Sequence, residues 1–431
     1  MVAEGAEVTT VSVIVHGCSM NQAEAEIAMG LLREAGSTLT PPDEAEVVIV
    51  LTCGVKAHAE NVCLRVGSEL ARKGKKVIMA GCLPAICPEK VEATGCAAMM
   101  DPNSISSIVE VVKRVERGEK GLRFLSTEKR VRLGLPRVRL RPLIAIVPIS
   151  EGCKGACSYC CVRIARGELY SYPPEFIVEE VKRSIREGCK EVWLTSQDSG
   201  AYNYKGVRLP QLLKKIVDVD GDFMVRVGMM NPNHAAEILD ELIEVYDNPK
   251  IYKFIHIPVQ SGSNKVLRDM NRKYTREVFL EVVDELRGNY PLLTLSTDVI
   301  AGFPGESEEE FYETVSLLKE VEPDIVNISM FTPRPHTPAA KMPNKLPGWE
   351  IKRRSRILTQ VSNELSLKRN MKWVGWVGEA IVTEVGRKGG VIARNYAYKH
   401  IVVREDVKLG EKIKVRLSEA KIGYLFGSIC M

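Results

Sequence analysis

No apolar run in this 431-residue sequence reaches the roughly 18 residues that a membrane-spanning helix needs. The opening MVAEGAEVTT holds two acids and no basic stretch, which argues against a secretory leader; a cytoplasmic protein with no membrane partner is expected. Internal repeats and low-complexity tracts are also missing. Charge of one sign is scarce, because 60 Lys and Arg offset 55 Asp and Glu. The whole excess of +5 lies in residues 371–431, with eleven basic residues against six acidic ones. A neutral body with a small basic end fits either a nucleic-acid grip or a solvated face.

What is present is enough apolar residue, 45%, for two to four folded domains. Residues 1–128 alternate Val/Ile runs (VSVIV, VVIVL, VIMA) with amphipathic stretches, the pattern of an open, Rossmann-like α/β sheet with buried parallel strands. The stretch KRVRLGLPRVRLRP (129–142) reads as a linker with a positive face, solvated or in touch with RNA. Residues 142–370 hold about six β/α units in series, which predicts a full or partial parallel barrel. Residues 371–431 change to short alternating strands between Gly and charged turns, which predicts a small antiparallel β-barrel. The fold class is α/β.

Twelve cysteines in such a chain point to metal or catalysis more than to disulfides. SEGCKGACSYC sets Cys153, Cys157 and Cys160 in a CxxxCxxC loop just after the first strand of the barrel region, where βα loops build active sites. Three thiolates hold three irons of a [4Fe–4S] cluster and leave the fourth open. A structural zinc site would use four ligands in paired knuckles, and no second knuckle lies nearby. Cys161, next to Cys160, is expected to point elsewhere. Cys18, Cys53 and Cys82 each fall just past the carboxyl end of a Val/Ile run. In an open α/β sheet those ends form one crevice. The repeated position predicts a second three-cysteine cluster site, although three unrelated core cysteines would also fit. Cys63, Cys87, Cys96, Cys161, Cys189 and Cys430 read as buried or inert thiols.

SEGCKGACSYC, with Tyr159 at the aromatic position, resembles the radical S-adenosylmethionine (SAM) signature. GCSMNQAEAE, LTCGVK and AGCLP resemble the three ligand segments of the methylthiotransferase family, and RIARGEL, TSQDSGAY, HIPVQSGS, MNRKYT, STDVIAGFPGE and FTPRPHTPAAKM resemble its later blocks. The last 60 residues resemble a TRAM domain, a small RNA-binding barrel. The likeness covers nearly the whole chain and is strongest to the archaeal and eukaryotic threonylcarbamoyladenosine tRNA branch. Thr52 stands where Asn or Ser is usual before the second ligand, His336 where Gly is usual, and Leu83 and Pro84 follow the third ligand.

The resemblance implies two [4Fe–4S] clusters and SAM, whose amino and carboxylate groups chelate the open iron of the Cys153 loop. It implies transfer of a methylthio group to C2 of the adenine at tRNA position 37, with sulfur carried on the auxiliary cluster and two SAM molecules supplying methyl and radical. An electron donor such as flavodoxin or ferredoxin is expected, and the sulfur donor is open. Alternative substrates are isopentenyladenosine tRNA and a ribosomal protein aspartate; a basic ribosomal protein would want an acidic terminal domain, and this one is basic.

Tyr159, Gln197, Asp198, Gln260, Ser261 and the strand exit Gly302, Phe303, Pro304, Gly305 are expected to line SAM. His256 reads equally as a satisfied core histidine. Arg226, a charge in the apolar strand FMVRVGM, needs a carboxylate, either that of SAM or one of the protein. Arg334 is expected to fork the threonyl carboxylate of the modified base. No residue is assigned as a general acid or base.

Overall fold

A computed structural model describes residues 9–386 and 389–430. Residues 1–8, read above for leader character, lie outside the described residues. The first 124 residues contain a six-stranded, wholly parallel sheet. From edge to edge its strands are Thr38–Leu39, Thr10–Val15, Val47–Thr52, Lys76–Gly81, Ala98–Met100 and Leu122–Phe124. The central strand Val47–Thr52 is buried along its length, as its unbroken VVIVL run requires. The two short strands after VIMA were not legible in the sequence, because three residues carry too little periodicity.

Six parallel strands follow in chain order: Ile144–Pro148, Glu191–Thr195, Met224–Arg226, Phe254–His256, Thr294–Ala301 and Ile325–Met330. They form two three-stranded sheets joined by a bridge from Val225 to Ile251. This is the partial barrel expected from six β/α units. Its covering helices include Pro174–Arg186, Leu209–Val217, Arg276–Asn289 and Glu308–Val321. Two further helices, Pro232–Ala236 and Leu239–Tyr246, follow the third of these strands.

Val377–Val385, Val391–Asn395, His400–Val403, Tyr424–Ile429 and Lys412–Lys421 close into a barrel in that order. One pair, His400–Val403 with Tyr424–Ile429, runs parallel, against the expected antiparallel pattern. A closed ring of five strands cannot alternate direction all the way round, so at least one parallel pair is unavoidable.

The basic linker departs most from expectation. Arg130 stays exposed, but Arg132, Arg137 and Arg139 turn inward and are not presented to solvent or RNA. Arg132 is 4% exposed and pairs with Glu151. Arg137 binds Glu180 at 3.0 Å, and Arg139 binds Glu187 at 2.5 Å. Glu26 of the first helix accepts from the Leu140 amide at 3.1 Å. The arginines alternate with apolar residues and thread between the N-terminal sheet and the barrel, where buried acids match them.

Candidate active site

The three dispersed cysteines converge as the strand register predicts. Cys18 precedes the helix Ser19–Glu34, Cys53 follows the strand Val47–Thr52, and Cys82 opens the helix Cys82–Ile86. Burial pushes the Cys82 thiol up to about 12, Arg166 beside it pulls the other way, and Glu24 and the thiols of Cys18 and Cys53 add to the rise. Cys53 and Cys82 are buried, whereas Cys18 is exposed at the rim. Gly81 makes this closeness feasible: its φ is +98°, and a Cβ there would stand 2.7 Å from the Thr52 carbonyl.

Thr52 explains its own departure from the family pattern. Its hydroxyl donates to the Ala80 carbonyl at 2.7 Å and accepts from the Leu83 amide at 3.2 Å, tying the second ligand segment to the third. Asn21 does the same for the first, donating to the Thr52 carbonyl at 3.3 Å while the Cys18 thiol lies 3.4 Å from its Oδ1. Arg166 is 2% exposed beside this trio.

Cys153, Cys157 and Cys160 also face one another. Gly155 lies so that a Cβ would be 3.4 Å from Cys153 Sγ and 3.8 Å from Cys157 Sγ. Burial pushes Cys160 up to about 12, with Cys157 and Cys153 contributing. Gly152, at φ +73°, lets the loop turn where a Cβ would meet the Glu168 carbonyl at 2.0 Å. The Cys157 thiol has a cation beside it as well: Arg272 Nη1 lies 3.4 Å from Cys157 Sγ. Among the described residues no three Cys, His, Asp or Glu side chains stand close enough to share one metal ion. A cubane takes each thiolate on a separate iron, so its ligands stand further apart. All-thiolate trios, each with a buried guanidinium alongside, fit such clusters.

Cys161 points away from its neighbour, as expected. It is fully buried in the N-terminal core, with its Sγ 3.5 Å from the Gly54 carbonyl. The peptide Cys160–Cys161 therefore connects the two thiolate sites directly. Of the remaining cysteines, Cys63, Cys87 and Cys189 are buried, while Cys96 and Cys430 are half-exposed.

The residues expected around SAM divide into two groups. Gln197 keeps a free buried acceptor, because its Oε1 has no partner. Tyr159 packs edge-on against Phe303, their centroids 6.4 Å apart, which brings the strand exit 302–305 onto the cysteine loop. Gln260 is held at φ +70° by bonds from its amide to the Asp298 carbonyl and from the Ile300 amide to its own carbonyl. Such strain at a non-glycine residue collects at functional sites.

Asp198 and Ser261 are instead committed within the protein. The Asp198 carboxylate accepts from the Asn231 amide and side chain at 3.1 and 2.6 Å and lies 2.7 Å from His234 Nδ1. Ser261 bonds Thr314 and the Ser263 amide. Both are buried with their polar atoms satisfied, so neither contacts SAM directly. Asp198 acts one step removed: Asn231 Oδ1 accepts from Arg272 at 2.7 Å, and Arg272 bonds Cys157. Asn231 and Arg272 were missed; the Arg in MNRKYT was the available signal. Gly302, at φ +76°, also makes room for Ile351, which would stand 2.7 Å from a Cβ there. His256 pairs with Asp298 at 2.9 Å inside the barrel, and Asp298 also accepts from Asn327.

Two arginines are reassigned. Arg334 is 6% exposed; its guanidinium binds Glu60 and donates to the Gly54 carbonyl at 2.5 Å. It bolts the barrel to the N-terminal domain through Nη2, while its Nε has no partner. Arg226 forms no ion pair among the described residues and lies between aromatic rings.

Comparison with known proteins agrees with this geometry. Residues 147–342 match the radical SAM superfamily, residues 10–101 an uncharacterized protein family designated UPF0004, and residues 372–430 the TRAM domain. A Pyrococcus horikoshii protein named as a probable threonylcarbamoyladenosine tRNA methylthiotransferase is 44% identical over 96% of this chain and 98% of its own. The Drosophila melanogaster threonylcarbamoyladenosine tRNA methylthiotransferase is 38% identical over 96% of this chain and 76% of its own. Among solved structures, the radical SAM methyltransferase TsrM of Kitasatospora setae matches the fold with a TM-score of 0.57 at 15% identity, over 77% of this chain and 74% of its own. With its cysteine loop at a barrel strand exit and full-length likeness to these relatives, the chain belongs to the threonylcarbamoyladenosine tRNA methylthiotransferase family.

Proposed function

We propose that this protein converts N6-threonylcarbamoyladenosine at tRNA position 37 into its 2-methylthio derivative by SAM-dependent radical C–H activation. The convergence of Cys18, Cys53 and Cys82 beside the Cys153 loop carries the reading, because a methylase that inserts no sulfur has no use for a second thiolate trio. When bound, SAM and the cluster of the Cys153 loop supply a carbon radical able to remove an aryl hydrogen that no base can take, and the auxiliary cluster supplies sulfur.

The chain's own part is holding and excluding. Cys153, Cys157 and Cys160 hold the first cluster; Cys18, Cys53 and Cys82 hold the second. Arg272 and Arg166 offset thiolate charge at the two sites. Gln197 offers SAM a buried acceptor, and Tyr159 and Phe303 wall off water. Exposed basic residues of the terminal barrel grip tRNA. A small one-electron carrier of the flavodoxin or ferredoxin kind docks from the cytoplasm, consistent with the absence of any helix among the described residues long and apolar enough to cross a membrane.

Nucleoside mass spectrometry of tRNA from cells lacking the gene, and from cells with it restored, tests the substrate. The methylthio derivative of threonylcarbamoyladenosine should vanish and return; loss of a different methylthio nucleoside would refute the assignment. In reconstituted protein, Cys153→Ala should abolish SAM cleavage. The Cys18→Ala, Cys53→Ala, Cys82→Ala triple variant should still cleave SAM yet form no methylthio product.

A further inference from the structure

Three guanidinium groups surround one indole at the foot of the barrel. Arg141, Arg226 and Arg394 place their central carbons 5.2, 5.5 and 5.8 Å from the Trp193 ring centroid. Two carboxylates face them. Glu191 meets Arg394 at 3.3 Å and accepts from Trp193 Nε1 at 2.8 Å and the Tyr252 hydroxyl at 2.9 Å. Glu384 binds Arg394 and lies 3.4 Å from Arg141. His400 adds no charge at neutral pH, since burial and then Arg394 push it down to about 4. Three cations against two anions leave one positive charge over.

The excess is localised on Arg226. It has no carboxylate partner among the described residues, and its buried Nε has no acceptor. Phe254 at 4.7 Å, Tyr398 at 5.4 Å and Trp193 cover its faces. Ring faces attract a guanidinium but leave its in-plane N–H groups unsatisfied. Asp298, whose partner His256 lies two residues beyond Phe254, is taken by His256 and Asn327. A half-buried, ring-sandwiched guanidinium with no acid of its own is an anion receptor.

We propose that Arg226 receives the carboxylate of the threonylcarbamoyl group, with the adenine above it and C2 turned toward the cluster loop; this rests on the substrate reading given above. The alternative anion is SAM's own carboxylate. Ile146 and Arg226 flank Trp193 in register, and Ile146 lies four residues before Ser150, about 13 Å at 3.3 Å per residue, with the cysteine loop beyond. That backbone span is longer than an arginine side chain, which favours the substrate carboxylate over one chelating iron on that loop. The aromatic walls hold the fork flat and fixed, which suits bidentate capture of a planar carboxylate.

The test compares two tRNAs that differ only in the carboxyl group of the modified base, one free and one a methyl ester, with reconstituted holoenzyme. Wild type should favour the free acid in kcat/KM by at least about tenfold. Arg226→Met should bring that ratio near one through a raised KM for tRNA, and Arg226→Lys, which keeps a point charge, should retain part of it. If Arg226→Met does not fold, the Lys and Gln variants give the same comparison. An unchanged ratio in the variants overturns the inference and leaves the substrate reading intact. A raised KM for SAM instead assigns the site to SAM and equally overturns it. If wild type ignores both tRNAs and methylthiolates another modified adenosine, the substrate reading has failed and the inference fails with it.

Discussion

Arg166 and Glu24 pair bidentately across the seam between the cysteine loop and the N-terminal domain, with Nη1 to Oε1 at 2.6 Å and Nη2 to Oε2 at 3.2 Å. Both are nearly inaccessible to solvent and stand beside Cys18 and Cys82. The cation opposes the thiolate charge that a second cluster brings, and the acid fixes the cation. Replacing Arg166 with Gln leaves Glu24 and the thiolates without it, at a cost of about 3–5 kcal/mol. Iron and sulfide analysis after reconstitution should show the content of one cluster lost, as in the Cys18/Cys53/Cys82 variant. Retention of both clusters would refute a charge-balancing role.

Arg334→Ala should behave as a folding defect and not as a loss of recognition. Removing one partner of the buried Arg334–Glu60 pair destabilises by about 3–5 kcal/mol. The preference for modified over unmodified adenosine tRNA should survive in whatever protein folds. Parallel denaturation curves and rate ratios check both halves; a collapsed preference would return Arg334 to the substrate.

The same pair sets an acid limit. Burial raises the Glu60 pKa, but bonds from Lys90 and Arg334 outweigh it and hold the group below its ordinary 4.5. A depressed carboxylate stabilises fully above its unfolded value and loses that contribution as pH falls through the folded one. Melting temperature should therefore decline below pH 4.5 more steeply in wild type than in Glu60→Gln. Equal slopes would show that Glu60 makes no contribution.

His336, where the family resemblance implies glycine, occupies the left-handed region at φ +60° with its side chain exposed. His336→Gly should raise stability by about 0.5–1 kcal/mol, since relief of backbone strain exceeds the added entropy of the unfolded chain. A lower denaturation midpoint would mean that the imidazole makes a favourable contact.

Arg272 donates to Cys157 and is braced by Asn231. Arg272→Gln removes a positive charge next to a cluster ligand, which favours the oxidised cluster. The potential should fall by about 60 mV, a tenfold change for one electron. Redox titration followed by electron paramagnetic resonance reads it directly, and a rise would contradict the assignment.

The cysteines were legible because cluster chemistry fixes residue type and spacing, and because strand ends in an open sheet converge whatever the loops do. The barrel was legible from Val/Ile runs separated by helical lengths. Partner choice was not legible. Asp198, Ser261 and Arg334 had plausible chemistry for ligands, but Asn231, Thr314 and Gly54, which they bond, lie 33, 53 and 280 residues away in sequence. The linker arginines failed for the same reason, since an arginine beside apolar residues looks alike whether its acid is solvent-side or buried. His336 was visible only as an oddity; its backbone angle supplies the meaning.

The terminal barrel inserts Tyr398 under Arg226, gives Arg394 to Glu191, and sends Lys399 to Asp324 at 2.7 Å. It thus serves as the floor of the catalytic chamber as well as an appendage for RNA. Removing residues 372–430 would expose that floor to water and take the cations Arg394 and Lys399 from two buried acids. Loss of activity in such a truncation therefore says nothing by itself about tRNA affinity. The domain's contribution to binding has to be read from surface substitutions that leave the floor in place.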